Sequence, residues 1–191
     1  MPMILESIIT TTNADGSVNI SPMGPEVDET WQRFTLKPFQ SSKTYANLKR
    51  TGRGVLHVTD DVELLAQAAV GQPNPLPPMT KAAALDGWIL ADACRWYAFR
   101  VELLDDSQPR TRIEVAVTDS GRQRDFFGFN RAKHAVVEAA ILATRLHLLP
   151  AEQIAAEFER LAVLIDKTGG EQERRAFDFL RRHVREQGPA A

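Results

Sequence analysis

Apolar and polar residues alternate in short runs through the first 128 residues, whereas beyond Arg131 the apolar positions recur every three or four. The first pattern marks half-buried strands and the second amphipathic helices. Strand-like stretches cover 3–12 and 17–23, separated by Asn13-Ala14-Asp15-Gly16, a hairpin-turn sequence. In the second stretch Val18 and Ile20 point to one side, Asn19 and Ser21 to the other. Trp31 to Leu36 reads as a further strand. Gly54 to Thr59 alternates again, setting Val55, His57 and Thr59 opposite Leu56 and Val58. Residues 96–104 oppose Tyr97, Phe99, Val101 and Leu103 to Trp96, Ala98, Arg100 and Glu102, and the next run opposes Ile113, Val115 and Val117 to Arg112, Glu114 and Thr118. Six such runs with few long helices between them predict an antiparallel barrel rather than a parallel sheet.

Two short helices interrupt the strands. Ser42 is the expected N-cap of a helix over 43–50 that stops near Gly52, and Asp60 or Asp61 that of a helix over 62–69 with Val62, Leu65 and Ala69 on one side. Pro73, Pro75, Pro77 and Pro78 then exclude helix and central strand, predicting a loop laid over the barrel. Three C-terminal helices follow. Their stripes are Val137, Ala140, Ile141, Thr144 and Leu148, ending before Pro150; then Ile154, Phe158, Leu161 and Ile165; then Phe177, Leu180 and Val184. The expected organisation is a barrel over 1–128, a helical extension over 129–187 and a disordered tail over 188–191.

Charge and composition narrow the chemistry. With 23 basic against 25 acidic residues the chain carries a net charge of −2, a poor balance for binding driven by a phosphate backbone. Arg174, Arg175, Arg181, Arg182 and Arg185 cluster near the end, but Glu171 precedes Arg175 and Asp178 precedes Arg182 by four, the spacing for local pairing. No nucleic-acid partner is therefore expected. No apolar run reaches the roughly 18 residues of a spanning helix and no basic leader precedes an apolar stretch, so a cytoplasmic, membrane-free protein is expected. Cys94 is the single cysteine, a small core hydrophobe or, less plainly, a nucleophile beside Arg95. The four histidines lack metal-ligand spacing, and P-loop, dinucleotide-turn and hydrolase-elbow motifs are absent; no metal site is expected.

Three places carry candidate chemistry. Ser41, Ser42, Lys43 and Thr44 gather hydroxyls and an ammonium at a helix start, where amide donors and the helix dipole favour an anion; the same residues also read as a plain cap. Ser21, Pro22, Met23 and Gly24 offer close backbone approach and apolar contact to a flat ring, or simply end a strand in a turn. His57 and Thr59 face a site or solvent, depending on which side of their strand is covered.

The order Asn19-x-Ser21-Pro22-Met23-Gly24, then Ser41-x-x-Thr44-Tyr45-x-Asn47, then the strand Gly54 to Asp61, resembles the split-barrel flavoproteins. More narrowly it resembles the domain-of-unknown-function 447 family of flavin-reductase-like proteins, a likeness that extends to Gly128-Phe129-Asn130-Arg131-Ala132. The resemblance implies a mainly β fold with α, a six-stranded antiparallel split β-barrel plus a C-terminal helical extension. It implies a homodimer holding flavin mononucleotide (FMN) near the subunit interface. By position, Ser41, Ser42, Lys43 and Thr44 would contact the phosphate, with Asn47 supporting the ribityl chain or the loop. Ser21, Pro22, Met23 and Gly24 would border the isoalloxazine, and His57 with Thr59 would reach its polar edge. Flavin reductases commonly carry asparagine where His57 stands. Asn130 is expected to cap the following helix, with Arg131 either beside it or reaching an anionic ligand. The function implied is a flavin-dependent oxidoreductase or flavin reductase acting on an unidentified small redox substrate. The alternative is a non-catalytic module that binds flavin or another heterocycle and acts through its helical surface.

Overall fold

The computed structural model describes residues 3–82 and 87–187, so the tail expected at 188–191 lies outside the described residues. Residues divide into two compact units. The first comprises 1–59 and 77–126, the second 60–76 and 127–191.

The first unit is an eight-stranded antiparallel sheet in the order β1-β4-β5-β10-β9-β6-β2-β3. Its strands are β1 (Met3–Ile4), β2 (Ser7–Thr12), β3 (Val18–Met23), β4 (Glu26–Val27), β5 (Arg33–Leu36), β6 (Arg53–Val58), β9 (Arg95–Asp105) and β10 (Arg112–Arg122). A two-stranded hairpin, β7 (Met79–Ala82) and β8 (Gly87–Leu90), stands beside it. Six strands were expected, and the difference has a simple origin. Ser7 pairs with Met23 and Ile4 with Glu26 in one unbroken register, and the Leu5 amide donates to the Pro25 carbonyl at 3.1 Å. The first hairpin therefore runs from Met3 to Val27 and bends at Leu5-Glu6 and Gly24-Pro25. One half pairs onward with β5, the other with β6. Three Cα–Cα steps, from Ile4 to Ser7 or from Met23 to Glu26, span at most about 11 Å, so the ends of the sheet order must lie close together. The sheet is curled into a split barrel, and six continuous runs become eight strands because two of them turn a corner.

Ile9, Phe34, Leu36, Leu56, Tyr97, Phe99, Ile113 and Val115 fill the inner face. Phe34 and Phe99 meet edge to face at 5.2 Å. Helix α1 (Lys43–Thr51) adds Tyr45 and Leu48 to this core and ends at Gly52, which takes the left-handed φ of 66°. The outer face of β2, β6 and β9 is covered by the β7–β8 hairpin, whose Ala82 and Ile89 pack on Val55 and Ala98. The proline stretch is irregular, but this unforeseen hairpin is what covers the barrel. Cys94 is a buried thiol and forms no disulfide.

The second unit contains α2 (Val62–Val70), α3 (Arg131–Ala143), α4 (Ala151–Thr168) and α5 (Glu171–Gln187). The expected boundary at residue 128 is thus incomplete: α2 packs on α3 and α5, so residues 60–76 leave the barrel for the helices. Asp61 caps α2 through the Leu64 amide at 3.0 Å, while the Asp60 carboxylate accepts from the Phe127 amide at 2.6 Å. Asn130 caps α3, accepting from the Lys133 amide at 3.1 Å and donating to the Thr168 carbonyl at 3.0 Å; Arg131 is exposed. The buried stripe of α3 is Ala132, Ala135, Val136, Ala139, Ala140 and Ala143; of the stripe expected only Ala140 belongs to it, while Val137 and Ile141 are half-buried and Thr144 and Leu148 are exposed past the helix end. Larger apolar residues drew the expectation to the wrong side; alanines instead let neighbouring helices approach closely.

Candidate functional site

The start of α1 is shaped by Ser42. In an extended conformation, its hydroxyl accepts from the Tyr45 amide at 3.1 Å and donates to the Phe39 carbonyl at 2.8 Å. A helix leaves its first amides without intrahelical acceptors. Here the Tyr45 amide goes to the Ser42 side chain and the Ala46 amide to the Ser42 carbonyl, so Lys43 and Thr44 carry the amides still lacking a helical partner. The first turn contains no acidic residue, which leaves the positive end of the helix dipole uncompensated by the helix itself. Ser41 and Lys43 are exposed there.

Thr44 and Asn47 point the other way, into a buried polar network on the first hairpin. Asn19 Nδ2 donates to Thr11 Oγ1 at 3.2 Å and to Thr44 Oγ1 at 3.1 Å. Asn47 Nδ2 donates to Thr11 Oγ1 at 3.0 Å and to Asn13 Oδ1 at 2.8 Å. With Thr44 and Asn47 almost wholly buried, these side chains seat α1 on the strands, and of the two roles the resemblance implied for Asn47 its bonds serve the loop at Asn13. On its other flank α1 is held by Asp106, which accepts from Lys49 at 2.7 Å and from the Tyr45 hydroxyl at 2.6 Å. Those two bonds keep its carboxyl below the usual range.

Asn19, Ser21 and Met23 alternate onto one face of β3, so the strand leads from beneath α1 toward the bend of the hairpin. At about 3.3 Å per residue the run from Asn19 to Met23 covers roughly 13 Å. Ser21, Pro22 and Met23 are half-buried and Gly24 is exposed. Ser7 Oγ donates to the Met23 carbonyl at 2.8 Å, fixing this end. A Cβ on Gly24 would come within 3.0 Å of Ile4, so the bend favours glycine. Thr59 is half-buried just past β6.

His57 is fully buried on the covered outer face. Its Nε2 accepts from the Leu90 amide at 3.1 Å, which leaves the ring proton on Nδ1 to be donated to the Ile8 carbonyl at 3.2 Å. Burial lowers its pKa to about 3, against a smaller opposing effect of the Ile8 carbonyl. Both nitrogens are engaged within the barrel, so the expected contact with a flavin edge has no ring atom to serve it. Sequence alternation placed His57 and Thr59 on one face, but could not foresee the hairpin that covers it.

Trp31 was legible only as a strand residue. It adopts a left-handed φ of 55°, uncommon for so bulky a side chain, and stacks on Tyr97 with centroids 4.6 Å apart and planes 11° from parallel. Asp28 Oδ1 holds the turn, accepting from the Thr30 amide and hydroxyl and the Trp31 amide. The Asp28-x-Thr30 pair was the only local signal for it.

Clefts of about 580, 320 and 180 Å³ are lined by other residues. Among the described residues no group of three or more His, Cys, Asp or Glu side chains is placed to hold a metal ion, and no helix is long and apolar enough to cross a membrane.

The whole fold is similar to a crystal structure of an FMN-bound protein from Methanosarcina mazei, with a TM-score of 0.82, 21% identity and 96% of each chain covered. A flavin reductase domain protein from Arthrobacter sp. FB24 matches with a TM-score of 0.56 at 17% identity, covering 64% of this chain and 80% of its own. The flavin reductase of styrene monooxygenase from Pseudomonas putida S12 matches with a TM-score of 0.52 at 17% identity, covering 63% and 80%. No curated protein matches the sequence. Residues 5–124 match the N-terminal domain of the protein of unknown function family DUF447, and residues 130–182 match the second domain described for that family. With both halves of the chain accounted for by one family, this protein belongs to DUF447.

Proposed function

We propose that this protein binds FMN on the β3–α1 surface and uses it in a redox reaction. The observation that carries the reading is the alignment of the α1 start with the Asn19–Ser21–Met23 face. An uncompensated helix N-terminus with Ser41, Lys43 and two amides suits a phosphate. The strand face then leads away from it over a distance that a ribityl chain can follow, to half-buried Met23 and exposed Gly24, where a flat ring finds apolar contact and close backbone.

A bound flavin would supply hydride and single-electron chemistry; the chain supplies binding and orientation. Lys43 and the first-turn amides hold the phosphate charge, and Ser42 holds those amides in place. Ser21, Met23 and Gly24 border the ring system, with Thr59 next to the end of β6. Because Gly24, Ser41 and Lys43 are exposed, a second copy of the chain completes the enclosure in this proposal, as a homodimer. The test is titration of purified protein with FMN, followed by quenching of flavin fluorescence and by scattering-determined mass. Saturable binding by a dimer supports the reading; absence of binding at any accessible concentration rejects it.

One observation favours a non-catalytic variant of this reading. His57 is the barrel unit's only histidine, and it is buried, neutral and committed. The proposed surface thus has no imidazole to move a proton. Anaerobic addition of reduced nicotinamide to the flavin-loaded protein separates the two, since bleaching of the flavin band requires a competent hydride route.

A further inference from the structure

The last helix carries a feature that the flavin reading does not use. A cleft of about 580 Å³ opens between α2 and α5 in the helical unit, with Glu63, Gln67, Asp178 and Phe179 in its walls beside Arg182 and Arg185. That volume falls within the usual range for small-molecule sites. The sequence spacing predicts that its charge is cancelled locally, and the structure shows this for only part of it. Arg175 is cancelled: it grips Glu63 through two nitrogens, at 2.9 and 3.2 Å, and lies 3.8 Å from Glu171. Arg181 reaches Glu159 at 3.6 Å and lies over the Phe177 ring. The expected Asp178–Arg182 pair is not formed, and among the described residues neither Arg182 nor Arg185 has an ion-pair or hydrogen-bond partner.

Arg182 and Arg185 stand three apart on α5, neighbouring positions on one helix surface. Two adjacent guanidiniums that are not spent on carboxylates present planar forks of donors, the geometry that matches phosphate oxygens. The Gln67 amide adds a neutral polar group, and half-buried Phe179 adds an apolar wall. We propose that this cleft is a binding site for a small phosphorylated anion, held by Arg182 and Arg185. An extended nucleic acid fits less well, because beyond this cleft the chain as a whole is acidic.

Calorimetric titration of the full chain with inorganic pyrophosphate at low salt tests the assignment. The expected result is saturable one-to-one binding that weakens at least tenfold in Arg182→Glu/Arg185→Glu and in Arg182→Gln/Arg185→Gln. Arg145→Glu, an exposed control elsewhere in the helical unit, retains it. Titration with FMN, read by fluorescence, should be equal in all four proteins, so a failed flavin reading and a failed cleft assignment are distinguishable. Absence of saturable pyrophosphate binding, or equal weakening by the Arg145 control, overturns the proposal. So does tighter, salt-sensitive binding of duplex DNA lost in the same double variants.

Discussion

Leu90 donates its amide proton to Nε2 of His57 at 3.1 Å, joining the covering hairpin to the barrel wall through a fully buried imidazole. Desolvation lowers the pKa of that ring to about 3 from an ordinary 6.5. In acid the unfolded chain takes up a proton that the folded chain refuses. The stability tied to neutral His57 is therefore complete above pH 6.5 and is lost as the pH falls toward 3, by about 1.4 kcal/mol per pH unit. His57→Gln removes the titration. The advantage of the native chain over this variant, measured by urea unfolding, should shrink at that rate between pH 6.5 and 4; a constant difference would refute it.

Lys43 is exposed at the start of α1 and makes no contribution to the core. Lys43→Glu should leave urea unfolding unchanged and weaken FMN binding about 10- to 100-fold, equivalent to about 1.5–3 kcal/mol for a charge-assisted hydrogen bond. Riboflavin, which lacks the phosphate, should bind the two proteins alike. Equal loss for both ligands would place the phosphate elsewhere.

Ser42→Ala removes both the bond from the Tyr45 amide and the bond to the Phe39 carbonyl. Loss of an N-cap costs about 1 kcal/mol. The expected outcome is a lower denaturation midpoint at unchanged slope, together with weaker FMN binding, because the first-turn amides lose their fixed direction. Asparagine, another good cap, should restore most of the midpoint.

A methyl group on Gly54 would sit 2.6 Å from Cζ of Phe99, in the centre of the barrel core. Gly54→Ala should destabilise by about 1–3 kcal/mol through overpacking. Adding Phe99→Leu should cost less in that background than in the native one, a coupling that a double-mutant unfolding cycle reads directly.

In the helical unit, Lys133 donates to Glu173 at 2.8 Å and to the Asp60 carbonyl at 2.8 Å, with both charged side chains largely buried. Burial pushes the Glu173 carboxyl up, but the bonds from Lys133 and the Gly170 amide outweigh it and hold the pKa below the usual value. Lys133→Met strands the carboxylate and should cost about 3–5 kcal/mol. Adding Glu173→Gln, which keeps an acceptor for Gly170 while removing the charge, should recover part of that loss.

Much of this molecule follows from local spacing. Alternation in 17–23, 54–59, 96–104 and 112–118 was enough to locate the long strands, because a half-buried strand writes its two faces into successive residues, although a bulge at Glu102 turns Leu104 to the core in place of the expected Leu103. The caps at Ser42, Asp61 and Asn130 were legible for the same reason, since a cap bonds within three residues of itself. The motif order that identified the family is likewise a property of the chain alone. What the tertiary structure decided is which polar groups are left for a ligand. Thr44 read as a phosphate contact and Asn47 as a support of the ribityl chain or the loop, and their partners Asn19, Thr11 and Asn13 lie 25 to 36 residues away. His57 read as a site residue, yet Leu90, 33 positions later, takes its free nitrogen. The arginines of α5 read as paired, yet Arg175 turned to Glu63, 112 residues earlier, and Arg182 and Arg185 stayed open. Spacing along a strand or helix fixes direction, whereas the partner met in that direction comes from distant chain, and only folding brings it there.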